Sequence, residues 1–295
     1  MKTPIRFFRR MAAGRLFQRI CQTAALLLIN GHYKFISTLH IYQGGLKSFC
    51  VPVINCHSCP LALYACPVGA LQYFIMTGRF PVYVLSIIVL TGMTVGRMSC
   101  GLLCPFGFLQ DILYRMGTVR TELPKWCTFL KYVVLVVLVF GLTFYFSFPV
   151  FCKLCPVAIL EAGFPLAFVY KDVVGRLFST ETGTFTGWLF LFKSGFLVVI
   201  LVAAVSIKRP FCRILCPLGA LFGLFNRFSI IRIEVDADKC SSCERCSRIC
   251  PVDIDIFNNP DSPECVLCMK CTSCECISAT LRPGLAPTRK VKHNA

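Results

Sequence analysis

A pair of cysteines followed by proline occurs twice in the chain, each time directly after a long apolar run. The first motif is Cys100-Gly-Leu-Leu-Cys104-Pro105 and the second is Cys212-Arg-Ile-Leu-Cys216-Pro217. Cysteines at i and i+4 lie one turn apart on one helix face, and the proline marks a helix break or the first turn of a new helix. Because 96–107 and 208–219 match along their length, the chain contains a repeat whose two copies each supply two thiolates.

The composition predicts an integral membrane protein. Of the 295 residues, 56% are hydrophobic and 27 are Phe, and several apolar runs approach the roughly 20 residues that cross a bilayer. The formal net charge is +17, but Lys and Arg cluster at the ends of the apolar runs, as membrane topology requires. The lipid bilayer is therefore the expected partner, and nucleic acid is not.

The apolar runs predict a mainly α fold with four transmembrane helices in residues 1–228, arranged as an internal two-fold repeat. Lys and Arg are more frequent in the loops 97–131 and 208–232 than beside Cys56 and Cys152. This asymmetry predicts a multi-pass protein of a bacterial or archaeal cytoplasmic membrane with both termini in the cytoplasm. The predicted spans are roughly residues 14–36, then Phe80–Gly96, Tyr132–Phe148 and Trp188–Ile207.

Two further cysteine pairs lie on the outer side of this arrangement, and each is also followed by proline: Cys56-x2-Cys59 and Cys152-x2-Cys155. Each half of the repeat would then give one pair to an outer site and one pair to an inner site. Cys66 has no cysteine opposite it in the repeat, so we interpret it as a spare small hydrophobe or an alternative ligand. The predicted outer ligands are Cys56, Cys59, Cys152 and Cys155, and the inner ones are Cys100, Cys104, Cys212 and Cys216.

Residues 229–282 have a different chemistry. After a short alternating stretch that predicts a strand, the run Cys240-x2-Cys243-x2-Cys246-x3-Cys250-Pro has the spacing of bacterial two-cluster ferredoxins. A second run continues with Cys265, Cys268 and Cys271. In this pattern three cysteines of one run hold a [4Fe–4S] cluster together with the fourth of the other run.

The second run departs from this pattern because Glu275 stands where its fourth cysteine is expected. Cys274 and Cys276 flank that position, and either one completes the first cluster. A zinc site with four thiolates is the alternative, but it would leave three cysteines without a role. We therefore predict a small α+β module with two clusters, followed by a basic disordered tail at 283–295.

Taken together, these motifs resemble the NapH-type membrane-bound 4Fe–4S ferredoxins, with NosR-type and CcoG-type proteins as relatives. The resemblance covers residues ~14–280 and is specific as a set of motifs. It implies an electron carrier or a subunit of a quinol dehydrogenase, rather than a stand-alone enzyme. It also implies a quinone and other redox subunits as partners. The repeated cysteine pairs, rather than the resemblance, predict two further [4Fe–4S] clusters in the membrane domain. The alternative is a redox factor that matures a metalloenzyme with the same clusters.

Two questions remain open at this level. A helix such as Phe80–Gly96 is about 25 Å long, so clusters at its two ends exchange electrons only if re-entrant segments or a quinone shorten the distance. Quinol oxidation also releases protons, for which His57 and Glu161 are candidate acceptors near the outer site. For Lys193, in the fourth predicted span, we favour a side chain that extends to the membrane interface.

Overall fold

Four helices of the protein start in the same way, with a cysteine at the N-cap and a proline at the first helical position. These prolines are Pro67, Pro105, Pro156 and Pro217. Proline suits this position because its fixed φ is already helical and the missing N–H has no partner there in any helix. The computed structural model describes residues 15–35, 40–169, 184–240 and 243–281, so the tail predicted at 283–295 lies outside the described residues.

The helices preceding the C-terminal module differ widely in length. Residues 125–146 form one continuous helix that widens to π-helical hydrogen bonding at Val134–Gly141. The helices are α1 (Arg15–Ile29), α2 (Pro67–Met76), α3 (Val82–Val95), α4 (Met98–Leu102), α5 (Pro105–Met116), α6 (Lys125–Phe146), α7 (Val150–Leu154), α8 (residues 156–169), α9 (Thr184–Ser206), α10 (Pro210–Ile214) and α11 (Pro217–Phe225).

The helices α2 and α3 form a hairpin, because they contact each other and only five residues, 77–81, connect them. Helices joined by so short a loop run antiparallel. The 10 residues of α2 correspond to about 15 Å and the 14 residues of α3 to about 21 Å. Cys66, at the start of α2, therefore lies at the end of the hairpin opposite its turn. The C-terminus of α3, which precedes Cys100, lies at this same end.

The second half repeats this order of elements. Cys155 starts α8, α9 packs against α8, and the chain then passes through Cys212 and Cys216 into α11. In addition, α11 contacts α2, so a helix that begins at an inner cysteine packs on one that begins at an outer cysteine. The helices that begin at the outer and inner cysteines are therefore in direct contact.

The spans predicted from sequence are reproduced in part. Among the described residues, α6 is the one helix that is long and apolar enough to cross a bilayer. Shorter apolar helices cover the other predicted spans, at Leu16–Ile29, Val82–Val95 and Phe190–Ser206. The first helix also ends at Ile29, well before the predicted residue 36. Crossing by four helices therefore stays a prediction.

The C-terminal module is closed by a two-stranded antiparallel sheet. Strand β1 (Ile231–Val235) pairs with β2 (Ile277–Leu281), with Ile233 opposite Ala279. The alternating sequence of β1 predicts this strand, since Ile233 is buried and packs in the module core with Ile277. The sheet brings the first and last residues of the module together, and both cysteine runs lie between its strands.

The module is docked on the inner end of the helical part. The Asn226 side chain donates to the Ser262 carbonyl (2.9 Å) and to the Cys265 carbonyl (2.8 Å). Gly101 lies so close to the module that a Cβ there would be 2.3 Å from the Val266 carbonyl oxygen and 3.3 Å from the Cys268 Cβ. Only glycine permits this approach, so the loop of Cys100 and Cys104 touches the loop of Cys265 and Cys268.

Candidate metal centres

Four cysteines from the two halves of the repeat come together at the inner end of the helices. This inner set consists of Cys100, Cys104, Cys212 and Cys216. The Cys104 Sγ accepts from the Gly107 amide (3.4 Å) and the Cys216 Sγ from the Gly219 amide (3.3 Å). These paired N-caps show the repeat in atomic detail, because each sulfur caps the helix that its own Cys-Pro step begins.

Three cysteines of the inner set are buried, Cys100 is partly buried, and their thiols interact electrostatically. Burial raises the pKa of the Cys104 thiol well above its usual range, and the nearby Cys212 and Cys100 raise it further. Thiols grouped in this way cannot all ionise unless a cation balances them. An iron–sulfur core does so, since its irons bind the thiolates directly. The donor set and its backbone N–H groups fit such a cluster.

Two buried arginines flank the inner set, and sequence reasoning missed both. Arg97 and Arg209 stand at the same place in the repeat, three residues before Cys100 and Cys212, and are 0% and 1% exposed. A Cβ on Gly219 would be 3.1 Å from the Arg97 Nη2, and one on Gly107 would be 3.5 Å from the Arg209 Nη1. Each arginine thus lies over the Cys-Pro turn of the other half. Both arginines stand three residues before the first cysteine of their motif, and this shared position is the sequence signal that could have identified them.

The outer cysteines surround a cavity of about 460 Å³. Cys56, Cys66, Cys152 and Cys155 line it, and Cys59 does not. We call the four lining residues the outer set. Cys66, rather than Cys59, is the structural counterpart of Cys155, because Cys66 and Cys155 are the N-caps of helices that begin with proline.

From this placement we propose a corrected alignment of the two halves, in which Cys66 takes the place of Cys59. That Cys59 is a ligand stays an untested prediction. Cys59-Pro matches Cys155-Pro in spacing, yet Cys59 lies in a turn, where burial and the nearby Glu161 raise the pKa of its thiol to about 11. By contrast, a Cβ on Gly69, in the first turn after Cys66, would lie 3.5 Å from the Cys152 Sγ. The loop between Cys56 and Cys66 hides this correspondence at the level of sequence.

A matching pair of glutamines relates the outer and inner cysteine motifs of the first half. Gln72 and Gln110 each stand six residues after the capping cysteine of their helix. The Gln110 Oε1 accepts from the Phe211 amide (3.1 Å), and the Gln72 Oε1 accepts from the Cys152 amide (3.2 Å). Both glutamines therefore tie one half of the repeat to a cysteine motif of the other.

Titratable groups border the outer set. The Glu161 carboxylate accepts from the Cys56 amide (2.7 Å), and burial raises its pKa to about 7. His57 lines the cavity, and burial together with Lys47 lowers its pKa. Lys193 also lines the cavity, so its side chain faces the outer set rather than extending away as expected.

The C-terminal module groups its cysteines as the ferredoxin pattern predicts. Cys250, Cys265, Cys268 and Cys271 are buried together in the module core. Burial, and then the neighbouring Cys250, raises the pKa of the Cys265 thiol to about 12. The thiols of Cys274 and Cys276 both lie near Cys246. Cys274 is also near Cys243, and the Cys276 thiol is hydrogen-bonded to the Cys240 thiol. The choice between Cys274 and Cys276 as fourth ligand stays open.

A zinc site and a cubane differ in how closely their thiolates approach one another. In the part of the chain that the structure describes, no three Cys, His, Asp or Glu side chains converge on a site for a single metal ion. Four thiolates on one zinc ion would each lie at about 2.3 Å from it. Thiolates on a cubane bind four different irons and stand farther apart.

Comparison with known proteins extends these observations. One family model, described as a 4Fe–4S binding domain, matches twice, at residues 77–124 and 184–233. These matches contain the inner cysteines of the first and second half. A second model with the same description matches residues 233–254. No solved structure matches the chain.

Relatives match most of the chain. An uncharacterized protein of Methanocaldococcus jannaschii is 28% identical over 245 residues, which is 79% of this chain and 86% of the relative. The putative electron transport protein YccM of Escherichia coli K12 is 27% identical over 229 residues, or 72% of this chain and 59% of YccM. The ferredoxin-type protein NapH of Haemophilus influenzae is 29% identical over 200 residues, or 64% of this chain and 61% of NapH.

Fold, cysteine grouping and matches define an iron–sulfur protein of the ferredoxin type, which binds 4Fe–4S clusters and transfers electrons. Proteins named NirI and NosR also match. These matches support the similarity to NapH/NosR-type 4Fe–4S ferredoxins that the motifs predict.

Proposed function

We propose that the protein is a membrane-bound electron conduit with four [4Fe–4S] clusters, which connects a quinone at the outer cavity to the C-terminal module. The observation that carries the proposal is the contact at Gly101, where the inner set meets the loop of Cys265 and Cys268. Such contact supports a direct transfer of electrons between the two proposed cluster sites.

The proposed order of clusters follows the contacts. The set with Cys240, Cys243 and Cys246 shares the module with the set of Cys250, Cys265, Cys268 and Cys271. Cys100 of the inner set packs against that module core. The outer set borders the same hydrophobic core as the inner set, through the contact of α2 with α11. Electrons would pass along this sequence of sites one at a time.

The outer cavity supports a quinone as the reactant at the far end. Most of its lining is apolar, from residues such as Phe151, Leu166 and Phe190, which suits a quinone head group that must also contact a cluster. A quinol that is oxidised there releases two electrons and two protons. Glu161 and His57 are the groups placed to accept those protons.

The membrane arrangement rests on the apolar helices and on the charge asymmetry of the loops. We expect α1, α3, α6 and α9 to cross a cytoplasmic membrane, with α2 and α8 as re-entrant helices and both termini inside. A reporter fused after Ala295 should then be active only in its cytoplasmic form. Activity of a periplasmic reporter at that position would reverse the orientation of the conduit.

Anaerobic purification tests the cluster count, which should be about sixteen irons per chain. A quinol analogue added to proteoliposomes should reduce the clusters, and Cys66→Ala should abolish that reduction while the C-terminal module keeps its clusters. About eight irons confined to residues 229–282, or zinc in place of iron, would contradict the membrane clusters. Full iron without any quinol reactivity would contradict the quinone and favour a maturation role.

A further inference from the structure

The two arginines beside the inner set are related by the repeat, but their hydrogen bonding differs. Arg209 is fully engaged: its Nε and Nη2 donate to the two carboxylate oxygens of Asp111 (2.7 Å each), and its Nη1 donates to the Cys100 carbonyl (3.2 Å). Its backbone is held at a φ of +47°, an uncommon conformation for a residue other than glycine. Both ends of this arginine are therefore fixed.

Only one of the three guanidinium nitrogens of Arg97 donates a hydrogen bond. Its Nη1 donates to the Pro263 carbonyl (2.6 Å) and to the Glu264 carboxylate (3.3 Å) of the C-terminal module. Its Nε and Nη2 have no hydrogen-bond partner, although the side chain is 0% exposed. Buried guanidinium N–H groups without an acceptor are costly, so such groups in a folded protein point to a ligand.

The unpartnered nitrogens lie on the side of the inner set. The Arg97 Nη2 is the nearest atom to the position of a Cβ on Gly219, in the turn that follows Cys216. The thiols of Cys100, Cys212 and Cys216 are close enough to act electrostatically on the guanidinium. An anionic acceptor bound by these cysteines would satisfy the remaining donors.

We propose that Arg97 sets the reduction potential of the inner cluster, by donating hydrogen bonds from Nε and Nη2 to its sulfur atoms while Nη1 holds the C-terminal module. The inference rests on the proposed function, since it requires a [4Fe–4S] cluster on the inner set. Arg97 is a positioning residue in this role, because it links the two cluster sites without ligating either. Arg209 repeats the sequence position but not the role, since Asp111 occupies its donors.

The direction of the effect follows from charge. Reduction adds one electron to a cluster that is already anionic, so a nearby cation and N–H donors stabilise the reduced form more than the oxidised form. Losing these donors should therefore lower the midpoint potential. Lysine in place of Arg97 keeps the charge and reaches Glu264, but lacks the planar fork that donates to two partners at once.

The test is a potentiometric titration followed by EPR of the intact, anaerobically purified protein. The inner-cluster signal is identified as the one that Cys100→Ala removes. In Arg97→Lys the ratio of reduced to oxidised inner cluster at a fixed potential should fall about tenfold, which is a shift of about 59 mV for one electron. The matched control Arg209→Lys should change that ratio less than twofold, with iron content unchanged in both variants.

A second variant acts in the opposite direction. Glu264→Gln keeps an acceptor for Arg97 but removes the negative charge that balances it, so the inner cluster should become easier to reduce. This expectation stands even if Arg97→Lys fails to fold. A rise in the potential of Glu264→Gln, measured on a protein with full iron content, supports the assignment.

The outcomes separate the inference from the function on which it rests. Absence of an inner-cluster signal from the unmodified protein would overturn both. A full set of clusters with an unchanged potential in Arg97→Lys would overturn the role of Arg97 alone. Equal shifts in Arg97→Lys and Arg209→Lys would do the same, because they would reflect a general effect of charge placement rather than the two free donors.

Discussion

The inner and outer sets are built from the same elements but lie in different surroundings. In each set, cysteines from two halves meet, and two of them cap helices that begin with proline. The inner set is enclosed by buried arginines and by the C-terminal module, whereas the outer set opens onto a cavity of about 460 Å³. The inner set is therefore suited to relay electrons within the protein, and the outer set to meet a reactant.

The ionisable groups follow the same division. Beside the inner set, Arg97 and Arg209 are paired with carboxylates and are fixed in place. Beside the outer set, burial raises the pKa of Glu161 to about 7 and lowers the pKa of His57. Fixed charges tune a potential, while groups that titrate near neutral pH can exchange protons with a substrate.

The largest expected effect tests whether the inner set is shared between the halves. Cys100→Ala and Cys212→Ala should each lower the iron content by about four per chain, and the double variant should lose no more than either single one. Three thiolates hold a cubane poorly, so either loss empties the same site. Iron analysis of the four proteins decides the point, and a loss of about eight in the double variant would mean separate sites.

The outer set offers a comparison within a single loop. Cys66→Ala should remove about four irons per chain, because Cys66 lines the cavity and caps α2. Cys59→Ala, seven positions away, is the matched control and should leave the iron content unchanged. If Cys59→Ala empties the outer site while Cys66→Ala does not, the spacing in the sequence was the better guide and the corrected alignment is wrong.

Docking of the module on the inner end should produce an effect on stability. Glu264 pairs with the buried Arg97 and Lys131, so Glu264→Ala leaves two buried cations without their partner. We expect a loss of about 3–5 kcal/mol in the free energy of unfolding, measured by urea titration of the detergent-solubilised protein. Glu244→Ala removes an exposed pair with Arg248 and should change this free energy by less than about 0.5 kcal/mol.

The contrast between the sets also explains how far the sequence could be interpreted. The inner set was predictable because Cys-x3-Cys-Pro is short and local, although the helix that holds Cys100 ends at Leu102 and Cys104 caps the next helix. The outer set was assigned only in part, since Cys56 and Cys66 are joined by an irregular loop whose path no periodicity encodes. Cys59 satisfied the expected spacing, but tertiary packing of α2 decided which cysteine faces the cavity.

Tertiary contacts between distant segments account for the other features that the sequence left open. Arg97 meets Glu264 only because the module folds back on the helices, and nothing near either residue indicates the partner. The strand at 231–235 was predictable from its alternation, whereas its pairing with residues 277–281 depends on the whole module between them. The first span was predicted too long, because the helix ends at Ile29, whereas the third was predicted too short, because its helix already begins at Lys125.

The smallest expected effect separates the two glutamines that tie the halves together. Gln110 donates from Nε2 to the Cys212 Sγ (3.3 Å), whereas Gln72 donates to the Thr143 hydroxyl (2.6 Å) and no sulfur. Gln110→Met and Gln72→Met each leave one buried backbone amide unpaired, so both should lower stability by about 1–3 kcal/mol.

Only Gln110→Met should also alter a cluster. Losing one hydrogen bond to a ligand sulfur should lower the inner-cluster potential, since such bonds favour the reduced state. The shift should be smaller than that of Arg97→Lys, because a single neutral donor is lost instead of a charged fork. EPR-monitored titrations of the two variants, at equal iron content, provide the measurement. An equal shift in Gln72→Met would show that the glutamines act through the packing of the halves, and the difference between the inner and outer sets would then not extend to their hydrogen bonds.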